Sequence, residues 1–144
     1  MLEKIRSLKG LTLVELAIFV IIIGVVAAFT VPRFRDAVER AKAAEAFNYL
    51  SAVRASQERY YSRQGTYTDD TAKLNIKLNA PGFFSVGEIA EGVTGSLEDS
   101  WTQKLTRIGP SPVYGEYTVT FTEEGFDAVN STIAETPAIN PMKT

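Results

Sequence analysis

The stretch that decides the fold is residues 16–31, which read LAIFVIIIGVVAAFTV and carry no charged side chain. Counting back to Leu11 gives twenty-one residues, and only Thr12 and Glu15 interrupt the added part. A helix of that length spans roughly 31 Å at about 1.5 Å per residue, close to the ~30 Å hydrocarbon thickness of a bilayer. We therefore predict a helix that spans a membrane.

Two other interpretations of this stretch stay open. A buried core helix is one, but a chain of 144 residues has little room to surround so apolar a rod on all sides. A secretory signal peptide is the other, with basic residues before the stretch and a mature chain that starts at Ala28. The apolar run is long for such a peptide, whose apolar region usually has about 7–15 residues.

Composition limits the chemistry that is open to the chain. The 15 Lys and Arg residues nearly balance the 17 Asp and Glu residues, which argues against a nucleic-acid binder. Cysteine and histidine are both missing, so disulfides, cysteine-ligated metals and the usual Ser-His-Asp and Cys-His catalytic arrangements are excluded. We predict that the chain is not an enzyme and needs no cofactor.

The segment before the apolar run carries a specific motif. Residues 9–15 read KGLTLVE, after a short leader with basic residues. This window resembles the cleavage and methylation motif of type IV prepilins and the related pseudopilins. The resemblance implies a cut between Gly10 and Leu11, N-methylation of Leu11 by the same peptidase, and a mature chain of 134 residues. Leu11 stands where phenylalanine is commoner in that family.

Glu15 has two interpretations, which are compatible. Thr12 and Glu15 have the T-x-x-E spacing of a capping box, and a carboxylate suits the positive end of a helix. A carboxylate at the edge of an apolar span also costs a few kcal/mol unless it is paired. A cut after Gly10 would create an α-amine as that partner. Resemblance to pilins implies that Glu15 of one subunit meets the amine of Leu11 on a neighbour and sets the axial register, with Thr12 beside them.

Gly24 and Pro32 are the predicted positions of a bend in the helix. A proline inside a helix removes one backbone hydrogen bond and clashes with the preceding turn. Pro32 therefore marks either a helix boundary or, as the resemblance implies, a bend in one long helix that loosens between Gly24 and Pro32 when subunits pack.

Residues 33–62 contain neither glycine nor proline and are predicted to continue as helix. Six residues at i, i+4, i+7 spacing form a stripe for packing a domain. They are Ala43, Phe47, Leu50, Val53, Gln57 and Tyr61. Two i,i+4 charge pairs, Asp36 with Arg40 and Arg54 with Glu58, are predicted on the outer surface. Gly65 is predicted to end the helix.

A helix from Leu11 to about Ser62 would be roughly 78 Å long. Its first half would find no partner within its own chain. We therefore predict that this half lies in lipid or against other copies of the chain.

The rest of the chain is predicted to form a small antiparallel sheet, which makes the fold class α+β. Residues 101–108 and 116–122 alternate in polarity and are joined by a turn-rich segment, which favours a hairpin. Further strands are expected at residues 83–89 and 125–129, and a helical turn at 71–74. The segment 137–144 is expected to be irregular.

The paired carboxylates of the head are predicted to face water in loops. Asp69 with Asp70, and Glu123 with Glu124, form these pairs. Asp127 is the one calcium candidate among the loop oxygens, although no EF-hand spacing is present.

Three segments are therefore expected: a basic leader at 1–10 that is removed, a transmembrane and filament-core half-helix at 11–32, and an α+β head at 33–144. The resemblance implies a filament subunit that crosses the inner membrane once and then enters a cell-surface pilus or a periplasmic pseudopilus.

The partners that the resemblance implies are other copies of the chain, a prepilin peptidase and methyltransferase, an assembly platform with its ATPase, and membrane lipid before assembly. A type II secretion pseudopilin and a minor or competence pilin are alternatives within the family. A secreted or membrane-anchored binding domain with an ordinary signal peptide is the alternative from another class.

Overall fold

The computed structural model describes residues 10–143, so residues 1–9 of the predicted leader lie outside the described part of the chain. The elements in chain order are α1 (Leu13–Gln64), a 3₁₀ turn (Thr71–Lys73), β1 (Phe84–Glu91), β2 (Trp101–Arg107), β3 (Thr118–Thr122), β4 (Gly125–Phe126) and a second 3₁₀ turn (Thr132–Glu135). The predicted α+β class, with one long N-terminal helix and a small antiparallel sheet, is confirmed.

The helix α1 continues through Pro32, so the alternative of a helix boundary at that proline is wrong. Thr30 donates its hydroxyl hydrogen to the carbonyl of Val26 at 2.8 Å, which adds a side-chain bond in the turn before the proline. Gly24 lies inside the same helix, where an added Cβ would meet no atom of residues 10–143 within 4 Å apart from the adjacent helix backbone. The bend between Gly24 and Pro32 stays a prediction.

The C-terminal end of α1 is set by Gly65, as predicted. Gly65 has φ +72° and its amide donates to the carbonyl of Tyr61 at 2.8 Å. This geometry is the left-handed helix stop that residues with a Cβ adopt only with strain. The helix ends two residues beyond the expected Ser62.

The chain divides into two compact units, with the boundary after Arg35. In the first unit, every described side chain is exposed. The second unit contains a hydrophobic core contributed by α1, the sheet and the C-terminal segment. Its largest fully buried apolar side chains are Trp101, Leu50, Leu105, Ile133 and Ile139.

The predicted packing stripe of α1 is buried except at its last member. Ala43, Phe47, Leu50, Val53 and Gln57 lie in the core. Tyr61 is 38% exposed and instead stacks on Tyr67, with 4.6 Å between ring centroids.

The two predicted charge pairs on α1 are absent from the salt bridges of residues 10–143, so this expectation is wrong. Arg40 donates to the carbonyl of Lys143 at 3.1 Å, and Arg54 donates to the carbonyl of Glu123 at 2.8 Å. Both guanidinium groups therefore bond to backbone carbonyls that are distant in sequence. The predicted charge pairs compete poorly with these contacts, because an ion pair one helical turn away on a solvated face contributes only a few tenths of a kcal/mol.

The sheet is an antiparallel meander in the order β1-β2-β3-β4. The predicted hairpin joins β2 to β3, and Tyr117, Val119 and Phe121 share the buried face. The expected strand at 125–129 is only Gly125–Phe126. It stops there because Asp127 accepts hydrogen bonds from the amides of Val129 and Asn130 and turns the chain.

The segment at 137–143 has no helix or strand, as predicted for the part that the structure describes. It still contributes to the core, since Ile139 and Asn140 are almost fully buried. Sequence reasoning missed this contribution because two apolar residues between prolines are too few for a periodic signature.

Candidate functional site

The most unusual surface of the chain is the apolar segment of α1. Large apolar side chains are exposed from Leu11, just before α1, to Phe34, with Leu13 at 84% and Phe29 at 70%. Monomeric soluble proteins rarely expose apolar patches larger than a few hundred Å². α1 is the one described helix that is long and apolar enough to cross a membrane.

The start of α1 is held by a reciprocal capping box. The amide and the hydroxyl of Thr12 donate to Glu15 Oε2 at 2.9 and 2.8 Å. The amide of Glu15 donates to Thr12 Oγ1 at 3.2 Å, and the amide of Leu16 donates to the carbonyl of Thr12 at 3.1 Å. The predicted T-x-x-E box is therefore present, and it starts the helix two residues beyond the expected Leu11.

Both hydrogen bonds from Thr12 fall on the same oxygen of Glu15. The other oxygen, Oε1, accepts none from residues 10–143. A carboxylate offers about four acceptor positions, so the cap leaves capacity for a further donor.

Gly10 and Leu11, the predicted cleavage and methylation positions, lie just before the cap and outside α1. Both are exposed, and a Cβ on Gly10 would meet no atom of residues 11–143 within 4 Å. The bond between them is therefore exposed and outside the helix, which leaves it accessible to a peptidase. Cleavage and methylation themselves stay predictions.

A buried ionic cluster joins α1 to the sheet within the second unit. Arg107 on β2 donates through Nε to Glu39 Oε1 at 2.6 Å, and Tyr117 donates through its hydroxyl to the same oxygen at 3.0 Å. Lys42 approaches Glu39 Oε2 at 3.3 Å. Glu39 is 6% and Arg107 3% exposed, so removal of either partner would leave a charge in the core. We call Glu39, Arg107 and Tyr117 the buried clamp.

The environment of the buried clamp shifts the pKa of each member. Burial opposes ionisation of Glu39, but the hydrogen bonds from Arg107 and Tyr117 outweigh it and lower the Glu39 pKa. Burial and the adjacent Glu39 charge raise the pKa of Tyr117. The hydrogen bond to Glu39 raises the pKa of Arg107. The clamp is therefore ionised as a Glu–Arg pair with a neutral tyrosine near pH 7.

Sequence reasoning missed this cluster, although a signal existed. Arg107 occupies the same alternating face of β2 as Trp101 and Leu105, and Glu39 lies one helical turn before Ala43 of the packing stripe. A charge on each of two apolar faces indicates a buried pair.

A second contact lies beside the clamp. The Tyr114 hydroxyl donates to the carboxylate of Asp36, and this contact raises the Tyr114 pKa to about 12. It fastens the loop between β2 and β3 to the first residue of the second unit.

Asp127, the calcium candidate, uses its carboxylate within its own loop. Oδ1 accepts from the amides of Val129 and Asn130, and Oδ2 accepts from the Asn130 side chain at 2.7 Å. The hydrogen bond from the Asn130 side chain is the main cause that lowers the Asp127 pKa. Across residues 10–143, no three acidic side chains converge as a metal site would require.

Known proteins resemble this chain. No family model matches it. Fimbrial protein EcpC of Eikenella corrodens is 36% identical over 110 residues, which cover 75% of this chain and 69% of EcpC.

Two further relatives match with lower coverage of their own length. Type IV major fimbrial protein FimA of Dichelobacter nodosus is 33% identical over 120 residues, covering 81% of this chain and 59% of FimA. Type IV major pilin protein PilA of Myxococcus xanthus (strain DK1622) is 39% identical over 61 residues, 42% of this chain and 28% of PilA. The names of these relatives agree with the exposed apolar helix and with the sheet that packs on the second half of that helix. On this evidence, the chain belongs to the type IV pilin family.

Proposed function

We propose that this pilin is the structural subunit of a pilus filament and that it polymerises through the apolar segment of α1. The observation that carries the proposal is the continuous exposure of large apolar side chains over residues 11–35. Burying apolar surface is worth about 25 cal/mol per Å², so a bare helical segment of this kind gains strongly from lipid or from other copies. The relatives named as a major pilin and a major fimbrial protein support other copies of the chain as the partner.

The proposed maturation is a cut between Gly10 and Leu11, followed by N-methylation of Leu11. Their exposure outside the helix supports access by a prepilin peptidase and methyltransferase. The remaining segments are then the filament-core half-helix at 11–32 and the head at 33–144. The bend at Gly24 and Pro32 would lie within the filament core.

In the proposed filament, Glu15 pairs with the α-amine of Leu11 on a neighbouring subunit. Thr12 occupies only Oε2 of Glu15, so Oε1 is available to accept from the amine while the cap persists. An incoming subunit out of register would leave the carboxylate and the amine unpaired in an apolar core, which costs several kcal/mol. Capping and assembly are therefore joint roles of one side chain.

Before assembly, the apolar segment would cross the inner membrane once, and afterwards it would lie inside a surface pilus. An assembly platform and an ATPase are the proposed partners for extraction from the lipid. A catalytic role is not part of the proposal, because histidine and cysteine are missing and the relatives are named as pilins and fimbrial proteins. A type II secretion pseudopilin or a minor or competence pilin is the alternative placement in the family.

Mass spectrometry of the mature chain from cells tests this proposal. We expect a chain that starts at Leu11 and carries one added methyl group on its α-amine. A mature chain that starts at Ala28 would contradict the proposal and favour a secreted monomer. Electron microscopy of the same cells, with and without this gene product, separates long pili from the short assemblies of a pseudopilus.

A further inference from the structure

Two arginines lie in α1 directly after its uncharged apolar run. Arg33 and Arg35 are the only charged residues between Glu15 and Asp36 in the sequence. Both are exposed, and both belong to the helix, which continues unbroken through Pro32. This stretch of α1 therefore carries two positive charges and no negative one.

The nearest carboxylates on the C-terminal side of the arginines have other partners. Asp36 follows Arg33 at i+3, and Glu39 follows Arg35 at i+4, which are spacings that allow ion pairs on a helix. Within the second unit, however, Asp36 accepts from the Tyr114 hydroxyl and Glu39 belongs to the buried clamp. Among residues 10–143, neither arginine takes part in a salt bridge. Both cations therefore lack a counter-charge in the described chain.

The segment before the arginines points independently to lipid. It is long and apolar enough to cross a membrane, and its side chains over residues 13–35 are exposed. Seventeen uncharged residues separate Glu15 from Arg33. They span roughly 26 Å at about 1.5 Å per residue, slightly less than the ~30 Å hydrocarbon core of a bilayer. In a bilayer, long arginine side chains at this end of the span would reach the phosphate level of the leaflet.

A phosphodiester is the chemical group at that level that suits a guanidinium. The planar guanidinium binds phosphate oxygens through two parallel hydrogen bonds. Phosphatidylcholine has such a phosphate, but its choline group cancels the charge. Phosphatidylglycerol keeps a net negative charge, and an arginine near an anionic leaflet changes the equilibrium in its favour by about fivefold.

The two arginines lie on different sides of the helix. Successive residues of an α-helix are rotated by about 100°, so positions 33 and 35 are rotated by roughly 200°. Residues at i and i+2 therefore do not face each other. Phe34, which is 67% exposed, stands between them in the sequence. A single headgroup cannot serve both side chains, and each arginine needs its own phosphate.

We propose that Arg33 and Arg35 each bind the phosphodiester headgroup of an anionic phospholipid while the chain is in the membrane. This inference deepens the proposed function, since it rests on the stage at which the apolar segment crosses a bilayer. A carboxylate of a second copy is the competing acceptor. The lipid is favoured because any bilayer that covers the apolar segment also brings phosphates to the end of that segment.

Arginine side-chain NMR of the dispersed full chain tests the proposal. The ¹⁵N-labelled chain in phosphatidylcholine bicelles is titrated with phosphatidylglycerol, and the arginine Nε–Hε signals are followed. We expect saturable shifts of Arg33 and Arg35, with half-saturation when about one lipid in six is anionic, as a fivefold preference requires. The signal of Arg63, an exposed arginine in the last turn of α1, should stay in place.

Substitutions separate charge from a general effect of the lipid. Arg33→Gln should leave the Arg35 titration unchanged, because the two sites are separate. The Phe34 amide signal reports on variants that lack both arginines. It should respond to phosphatidylglycerol in Arg33→Lys with Arg35→Lys, which keeps both charges, and not in Arg33→Gln with Arg35→Gln. Equal Phe34 responses in these two double variants, or equal shifts of Arg33 and Arg63 in the wild type, would overturn the proposal.

Two further titrations exclude other anions. Inorganic phosphate added to phosphatidylcholine bicelles should cause no comparable shift of Arg33 or Arg35. A shift as large as that with phosphatidylglycerol would overturn the assignment to lipid. Shifts that follow the protein concentration instead of the lipid composition would assign the arginines to a carboxylate of a second copy and would also overturn it.

The same samples separate failure of this inference from failure of the proposed membrane stage. A water-soluble paramagnetic agent broadens the signals of amides outside the bilayer. Protected amides over residues 18–24, without a preference of the arginines for phosphatidylglycerol, would overturn the inference alone. Broadened amides over residues 18–24 would contradict the membrane stage itself.

Discussion

Glu15 is the residue on which we expect assembly of the proposed filament to depend most, because it combines a local cap with a charge in an apolar surface. We expect Glu15→Gln to keep the hydrogen bond from the Thr12 amide and to be processed normally, but to form no fibres. Glu15→Val loses that hydrogen bond as well, and it should also be processed but form no fibres. Mass spectrometry of the N-terminus and electron microscopy of the cells provide the two measurements.

Thr12→Ala is the control that separates the two roles of Glu15. It removes the hydroxyl bonds of the cap, which are worth about 1 kcal/mol, and leaves the carboxylate in place. Fibres should therefore persist in Thr12→Ala. Normal fibres in Glu15→Gln would contradict the pairing with the Leu11 amine.

The buried clamp yields a second residue-scale prediction. Glu39→Gln leaves Arg107 without its counter-charge and should lower the free energy of unfolding by about 3 kcal/mol. The double variant Glu39→Leu with Arg107→Met removes both charges. Its loss of unfolding free energy should be smaller than the sum of the losses in Glu39→Leu alone and Arg107→Met alone. Thermal unfolding followed by circular dichroism in detergent measures this, and simple additivity would contradict the clamp.

The shifted pKa values of the clamp predict a pH profile. The Glu39 pKa is lowered in the folded state. Ionised Glu39 therefore stabilises the fold fully above the ordinary glutamate pKa of 4.5, and this stabilisation is lost as the pH falls below that value. The Tyr117 pKa is raised, so stability falls as the pH rises above 10. The unfolding midpoint of Glu39→Gln should fall less than that of the wild type below pH 4.5; an equal fall would contradict this assignment.

At the scale of elements, the end of α1 depends on a single backbone conformation. Gly65 has φ +72°, and Gly65→Ala should cost about 1 kcal/mol of unfolding free energy. Gly82→Ala is the matched control, since an added Cβ there meets no atom within 4 Å and no positive φ is required. Equal unfolding midpoints for the two variants would contradict this account of the helix stop.

The elements that carry strong periodicity were predictable from sequence, and those set by tertiary contacts were not. The uninterrupted apolar run and the stripe through Phe47 and Leu50 define α1, and alternation defines β2 and β3. The strand after Gly125 was predicted too long because Asp127 turns the chain with its own side chain. The Arg40 and Arg54 contacts to distant carbonyls have no local signature at all.

In the candidate site, too, local contacts were predictable from the sequence and long-range contacts were not. The T-x-x-E spacing predicts the Thr12–Glu15 cap, because both partners lie within one helical turn. The Glu39–Arg107 pair joins residues that are 68 positions apart, and only the folded register of β2 against α1 brings them together. Whether Gly10 is cut and Leu11 methylated depends on another enzyme and stays a prediction.

At the scale of the whole molecule, two kinds of surface coexist in one chain. The second unit buries its apolar residues around Trp101 and Leu50, as a soluble domain does. The described part of the first unit, residues 10–35, leaves its apolar side chains exposed. A chain of this kind requires lipid, detergent or other copies of itself to cover residues 11–35.

Sedimentation velocity of the processed, full-length chain after detergent removal tests this requirement most directly. We expect the chain to leave the monomer and sediment as large assemblies, and to return to monomers when detergent is restored. A freely soluble monomer in detergent-free buffer would contradict the proposal that the apolar half of α1 drives filament formation.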